Sequence, residues 1–258
     1  MTPATGPGTS TAPDPETGPD ERGVRIQVLI ARAGLASRRA AEDLMKSGRV
    51  TLNGKVVTEL GVRALPSDVL TVDGKLVVAE EQLHHLALNK PAGFLCAMSD
   101  EFGRPLAASL FKPQIQERVY NVGRLDLDSC GLILFTNDGA FAAKVGHPSS
   151  NLVKEYEIQT EKRIPNEFGK RFEAGFLDAG EMLKAESVTI TGEFRCTIRL
   201  MEGKNREIRR ALGIFGLEVV VLRRVAIGNV RLGGLVEGRW RTLTDEEISA
   251  LMHGGEPR

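Results

Sequence analysis

Ile26, Leu29, Ile30 and Ala33 recur at helical spacing, and Gly34 supplies a C-terminal stop. Ser37 stands where it can cap a second helix, running through Lys46 and ended by Gly48. The period then changes. Val50-Thr51-Leu52 and Lys55-Val56-Val57 flank Asn53-Gly54, a hairpin signal, and another strand pair surrounds Asp73-Gly74 from Val69 to Val78. Residues 79–85 are polar without clean periodicity and read as a linker. From Leu86 the chain is strand-rich: Leu86–Asn89 meets a turn at Lys90-Pro91-Ala92-Gly93, and Phe94–Ala97 follows. Leu132–Phe135 is an uninterrupted apolar run stopped by Asn137-Asp138-Gly139, the pattern of a buried strand. Helices are expected over Ala140–Val145 and over Pro165–Gly175, the latter with Pro in its first turn. Lys154–Thr160 alternates as a strand. Cys196, Ile198 and Leu200 share one strand face, opposite Arg195, Thr197 and Arg199. Asn205 is placed to cap a helix whose apolar face is Ile208, Ala211, Leu212 and Phe215, with Arg206, Arg209 and Arg210 opposite. Thr244–Glu247 reads as a capping box opening a last helix. The whole pattern predicts an α+β chain: a small domain over 22–78, a linker over 79–85 and a larger domain over 86–252.

Charge sharpens that division. The chain of 258 residues balances 34 Lys and Arg against 34 Asp and Glu, but they are not evenly spread. Residues 1–21 hold five prolines among Gly, Thr and Ser, with Asp14, Glu16, Asp20 and Glu21 as their only charges. Such a segment buries too little apolar surface to offset its ordering entropy and is expected to be a disordered acidic tail. From Arg22 to Arg63, nine bases oppose Glu42, Asp43 and Glu59, leaving plus six. A basic surface of this kind suits phosphate contacts, with Arg38 and Arg39 at a helix N-terminus. Cys96, Cys130 and Cys196 lie far apart without ligand spacing, which points to a reducing cytoplasm rather than a disulfide or zinc framework. No apolar run approaches membrane-spanning length, so a soluble, unsecreted protein is expected.

The candidate chemistry sits in Gly123–Gly131, a polar loop holding Arg124, Asp126 and Asp128 at the mouth of the Leu132–Phe135 run. A carboxylate there is rigidly carried yet reachable. A calcium loop starting at Asp126 would need an oxygen ligand at its fifth position and Glu at its twelfth; these are Cys130 and Asn137. Ser129 lacks a nucleophile-elbow context, and His147 precedes Pro148, which argues against a Ser-His-Asp hydrolase. His84 and His85 are adjacent, point apart in most conformations and have no third ligand nearby. What remains is a carboxylate nucleophile or base, since neither a phosphate-cradling Gly-rich loop nor a dinucleotide fingerprint is present. Acting on RNA, it would need an Arg partner and an aromatic surface. The tyrosines are Tyr120 and Tyr156, and from spacing alone Tyr156 is a half-buried sheet residue.

Two resemblances add to this reading. Gly34-Leu35-Ala36-Ser37-Arg38-Arg39-Ala40-Ala41-Glu42 followed by Gly48-Arg49-Val50-Thr51-Leu52-Asn53-Gly54 resembles the S4 (α-L) RNA-binding module over about residues 24 to 78. The likeness implies that Arg38, Arg39, Arg49 and Lys55 contact RNA. Gly123-Arg124-Leu125-Asp126, Thr136-Asn137-Asp138-Gly139, Asn89-Lys90-Pro91-Ala92-Gly93, Lys154-Glu155-Tyr156 and Gly203–Arg210 are similar to the motifs of RNA pseudouridine synthases. The match, from about Val24 to Glu247, is to the bacterial ribosomal RNA enzymes of the RsuA/RluB/RluF group. It implies a mixed-sheet catalytic domain in which Asp126 is the nucleophile, Tyr156 stacks on the target base and Arg209 pairs with Asp126. Arg124 would attend a flipped-out nucleotide, while Lys154, Lys204, Arg206 and Arg210 would contact RNA. Lys204 stands where relatives often carry Arg, and Asp128 reads as loop-shaping or RNA-proximal. Neither metal nor organic cofactor is implied, and nothing demands more than a monomer. The implied activity is isomerisation of one uridine of ribosomal RNA to pseudouridine, with overall similarity leaning to the large subunit. The alternative is a noncatalytic ribosomal RNA-binding assembly factor that retains the fold.

Overall fold

Asn53 and Asp73 both take positive φ, 52° and 51°, each followed by a glycine at 79° and 77°. Two consecutive left-handed residues make the tight turn whose twist matches two antiparallel strands, so each Asx-Gly pair closes a hairpin. The computed structural model describes residues 23–78 and 82–254, and these form two compact units divided between Ala79 and Glu80. The acidic tail expected over 1–21 and the first residues of the linker lie outside the described residues.

The smaller unit opens with β1 (Val24–Arg25), α1 (Ile26–Arg32) and α2 (Arg38–Lys46). Ser37 Oγ accepts the Ala40 N–H at 3.1 Å, satisfying a donor that the first turn of α2 would leave open. β2 (Val50–Leu52), β3 (Lys55–Val56), β4 (Arg63–Ala64), β5 (Leu70–Val72) and β6 (Lys75–Leu76) follow. β3-β2-β5-β6 form an antiparallel sheet, and β1 pairs with β4. Ile26, Ile30, Ala41, Met45, Val50 and Leu70 are buried together between helices and sheet.

The larger unit is built on one mixed sheet of nine strands. In chain order its elements are β7 (His85–Lys90), β8 (Tyr120–Val122), β9 (Cys130–Thr136), α3 (Gly139–Gly146) and β10 (Lys154–Thr160). Next come α4 (Glu167–Ala174), the hairpin β11 (Phe176–Asp178) with β12 (Glu181–Leu183), then β13 (Ser187–Gly192) and β14 (Arg195–Leu200). The chain continues through α5 (Glu207–Ile214), β15 (Val219–Ile227), β16 (Val230–Arg231), β17 (Trp240–Thr242) and α6 (Asp245–Met252). The strand order is β13-β14-β10-β15-β9-β7-β17, with β16 on β15 and β8 on β9. All pairings are antiparallel except β15 with β9. Among the described residues no helix is long and apolar enough to cross a membrane.

Both faces of β9 are covered, which is why its sequence is continuously apolar rather than alternating. Ile133 and Phe135 enter one core with Phe111, Phe168, Phe172 and Ile208. Leu132 and Leu134 enter another with Phe141 and Val145 of α3 and Leu251 of α6. Thr244 and Glu247 form the expected reciprocal cap at the start of α6.

Three local expectations are corrected. Asn205 does not cap α5: the cap position belongs to Arg206, whose φ is 47°, and no side chain caps it. The Glu207 carboxylate turns back outside the helix, accepting the Lys204 N–H at 3.0 Å and the Lys184 N–H at 3.4 Å. Pro165 lies one residue before the cap of α4, which is Asn166, not in its first turn. Phe94–Ala97 joins no sheet; Leu95 makes an isolated bridge to Leu106, because its N–H is taken by the Pro105 carbonyl.

Gly131 lies directly against the backbone of β15. Its φ is 100°, and a Cβ there would stand 2.2 Å from the Arg224 carbonyl oxygen. Gly131→Ala is expected to lower stability of the larger unit by about 3 kcal/mol or more, since a forbidden φ and a backbone clash add. Urea unfolding checks this; a loss under about 1 kcal/mol would show that the two strands part without cost.

Candidate active site

The loop from Gly123 to Ser129 is not free, although it contains no regular structure. Gly93 donates its N–H to the Leu127 carbonyl at 2.7 Å, and the Leu125 N–H reaches Cys96 Sγ at 3.4 Å. Ser129 donates to the Asp126 carbonyl at 3.2 Å, closing a turn around Leu127 and Asp128. The Leu125 side chain is buried in the core, whereas Asp126 is half-exposed. Burying one residue and binding both flanking backbones fixes the carboxylate without covering it.

Beneath the loop lies Lys90, which has no exposed surface. Its ammonium donates to the carbonyls of Pro91 at 2.8 Å and Phe94 at 2.9 Å, shaping the turn that holds Leu127. Burial pulls its pKa down from the ordinary lysine value, while the neighbouring Cys96, Cys130, Asp128 and Asp126 oppose that shift.

A cavity of about 600 Å³ opens in front of the loop. Arg124, Asp126, Lys154, Tyr156, Arg206 and Arg224 contribute to its wall. Tyr156 is buried on β10, where its Cα is paired with Ile198 on one side and Arg224 on the other. A register shift between Glu155 and Tyr156 marks a bulge in β15 at this level. Bulges re-aim side chains and recur beside functional sites.

Cations surround the two loop carboxylates. Arg206 Nη1 lies 3.7 Å from Asp126 Oδ2, and Arg206 Nη2 lies 3.5 Å from Asp128 Oδ2. Arg206 is a non-glycine residue in the left-handed region, a backbone conformation that costs about 1–2 kcal/mol and turns the side chain off the helix. Arg209, expected opposite Asp126, pairs instead with Asp128 at 3.2 Å. It also donates to the Asp128 carbonyl at 3.2 Å and the Val219 carbonyl at 3.2 Å. These contacts hold its guanidinium behind the loop, and its side chain is only 13% exposed. The cation nearest Asp126 is therefore the one before α5, not the one inside it.

The other sequence-derived residues divide by availability. Arg124 is exposed at the rim. Lys154 donates to the Met201 carbonyl at 3.1 Å, and burial lowers its pKa. Lys204 reaches the Met182 carbonyl at 2.6 Å and the Glu202 carboxylate at 3.0 Å, and that carboxylate raises its pKa. Arg210 is committed to the β11–β12 hairpin, through Asp178 at 2.6 Å and Glu181, and does not line the cavity. In the smaller unit Arg38 and Arg39 are exposed in the first turn of α2, and Lys55 is exposed on β3. Arg49 is bound to Asp73 through both side-chain oxygens. His84 and His85 turn toward different carboxylates, Glu117 and Asp138.

Arg224 lies outside every motif that the sequence shows, and Lys90 stands within Asn89-Lys90-Pro91-Ala92-Gly93 with no role assigned to its side chain. Lys90 ends the apolar strand Leu86–Lys90, and Arg224 occupies an inward position of β15. A cation closing the apolar strand β7 and a cation between Leu222 and Ala226 on the inward positions of β15 are the signals they leave.

Comparison with known proteins agrees with this architecture. Residues 24–70 match the S4 domain and residues 84–213 match the RNA pseudouridylate synthase family. The ribosomal large subunit pseudouridine synthase B of Bacillus subtilis is 40% identical over 233 residues, covering 88% of this chain and 95% of the relative. The dual-specificity RNA pseudouridine synthase RluF of Escherichia coli is 38% identical over 230 residues, covering 88% and 78%. A solved pseudouridylate synthase superposes with a TM-score of 0.66 at 27% identity, over 89% of this chain and all of that one. With an S4 domain, a mixed-sheet unit of this topology and relatives matching along most of its length, the chain belongs to the RNA pseudouridine synthase family of isomerases.

Proposed function

We propose that the protein converts a uridine of ribosomal RNA to pseudouridine, with Asp126 as the nucleophile. The observation that carries this reading is the Asp126 carboxylate, fixed by its loop at a cavity whose wall holds Tyr156. The cavity is large enough to take one nucleotide base, and a base reaches it only if turned out of its stack. Tyr156 would stack on that base and Arg124 would attend the displaced nucleotide. The carboxylate would attack either the ribose anomeric carbon or the uracil ring. The bond from the anomeric carbon to N1 breaks, the base rotates, and a bond from the same carbon to C5 forms; the bond to Asp126 breaks in turn, which releases the carboxylate. The C5 proton is lost and N1 gains one, so the reaction is an isomerisation.

Arg206 and Arg209 would then do different things. A half-exposed ion pair such as Arg206–Asp126 contributes about 1 kcal/mol or less, so Arg206 can exchange Asp126 for an RNA phosphate at little cost. Arg209, largely covered and bonded to the loop backbone, would keep the loop shaped while RNA enters. Lys154 and Lys204 would add positive charge on the approach, and Arg210 would act on RNA only by leaving its hairpin carboxylates. The smaller unit would grip structured RNA with Arg38, Arg39 and Lys55; Arg49 would first release Asp73. The large ribosomal subunit is the favoured source of substrate, because the Bacillus subtilis relative is named for it. Three unpaired cysteines suit a cytoplasmic location.

Asp126→Asn is expected to lower pseudouridine formation by about 1,000-fold or more while leaving RNA affinity within about twofold. Pseudouridine mapping and filter binding on the same RNA check the two halves. Retained turnover would contradict the mechanism, and a wild type that binds the RNA without forming pseudouridine would favour a noncatalytic assembly factor.

Arg38→Gln with Arg39→Gln is expected to weaken RNA binding and make the dependence of log affinity on log salt shallower by about 1 to 2. Binding measured across a salt series checks this. Unchanged affinity and slope would remove this face from RNA recognition.

A further inference from the structure

We propose that Arg224 is a positioning residue for the isomerisation, setting the Asp126 loop against Tyr156; this rests on the catalytic reading given above. Leu222, Arg224 and Ala226 all point into the unit, at 7%, 4% and 2% exposure. Packing alone would fill such a position with an apolar side chain. A buried guanidinium is retained only at a cost unless its donors are used.

Its donors are used on the loop. Nε donates to the Leu132 carbonyl at 2.7 Å and Nη1 to the Arg124 carbonyl at 3.4 Å. These two acceptors bracket the segment carrying Asp126. The parallel β9–β15 ladder is only two pairs long, Arg223 with Cys130 and Arg224 with Gly131. Beyond Gly131, where the paired positions end, the Leu132 carbonyl accepts from the Arg224 side chain. The side chain thus continues the ladder where the loop enters the strand.

The same guanidinium faces Tyr156. Tyr156 and Arg224 are cross-strand partners, and the Arg224 Cζ lies over the tyrosine ring, 6.0 Å from its centroid. One rigid planar group therefore touches the backbone that bears Arg124, the strand that anchors Asp126 and the ring assigned to the base. Nη2 is buried and has no hydrogen-bond partner. An imperfectly satisfied buried cation is poor architecture if stability were its whole purpose. Fixing the distance between nucleophile and stacking ring accounts for its retention, because small misplacements of reacting groups cost large factors in rate.

The test is single-turnover pseudouridine formation, with equilibrium RNA binding, on unmodified large-subunit ribosomal RNA transcribed in vitro. Arg224→Gln is expected to lower the single-turnover rate about 100-fold, and Arg224→Lys about 10-fold, since a lysine keeps the charge but lacks the rigid planar fork that spans the two carbonyls and the ring. Both should bind RNA within about twofold of wild type, placing the loss in the chemical step. Rates within threefold of wild type in Arg224→Lys and Arg224→Gln would overturn the proposal. So would affinity losses that match the rate losses, because they would make Arg224 part of RNA binding. If Arg224→Gln does not fold, as circular dichroism would reveal, Arg224→Lys decides alone. A wild-type protein inactive on this RNA and on small-subunit RNA would overturn the catalytic reading, and this proposal with it. Active wild type with active variants would overturn only the proposal.

Discussion

The close approach of β9 and β15 at Gly131 is the constraint on which the rest of the larger unit depends. Cross-strand pairing sets Ile198, Tyr156, Arg224, Gly131 and Lys90 in one lateral row across five strands. Tyr156 is the proposed stacking surface, Arg224 and Lys90 are buried cations, and Gly131 is the point where only a missing Cβ lets the row close. The Asp126 loop enters the sheet at this row, so its geometry is inherited from strand registry. A slip in register would turn every side chain of the row to the other face.

Two grades of electrostatic contact surround the loop, and the difference between them organises the site. Arg206 and Asp128 are about half exposed, and the pairing of Arg206 with Asp128 and with Asp126 is weak enough to be exchanged for phosphates. Arg209, Arg224 and Lys90 are mostly or wholly covered and direct their donors at backbone carbonyls. Hydrogen bonds from a charged donor in such places are worth about 1.5–3 kcal/mol each, and losing one strands a buried group. The first set suits recognition of a mobile polyanion. The second suits holding a loop still while that polyanion moves.

Much of this organisation was legible in the sequence where a short local rule governs it. Asn53-Gly54, Ser37, Thr244–Glu247 and the Leu132–Phe135 run each specify their own geometry through φ preference, capping or burial on two faces. Asp126 was legible as a carboxylate at a strand mouth. The Arg206–Arg209 arrangement was not, because it turns on where α5 begins. Glu207 reaches back to the Lys204 N–H, Arg206 is left outside the helix beside Asp126, and Arg209, which the family resemblance placed opposite Asp126, meets Asp128. The roles of Arg224 and of Lys90, the latter inside a matched motif, were illegible for another reason. Their partners are backbone carbonyls of Arg124, Leu132, Pro91 and Phe94, and backbone acceptors leave no trace in side-chain pattern. The bulge in β15 that brings Arg224 beside Tyr156 depends on pairing between segments some seventy residues apart, beyond any local signal.

The most direct measurement of the central claim is a structure of the protein bound to an RNA stem-loop whose target uridine it modifies. The account predicts the target base stacked on Tyr156, with the Asp126 carboxylate about 3–3.5 Å from the ribose anomeric carbon or the uracil ring. It also predicts that the backbone of residues 123–131 moves by no more than about 1 Å, since the row beneath it is already closed. A base bound elsewhere, or a loop that must rebuild itself before Asp126 can reach the nucleotide, would contradict it.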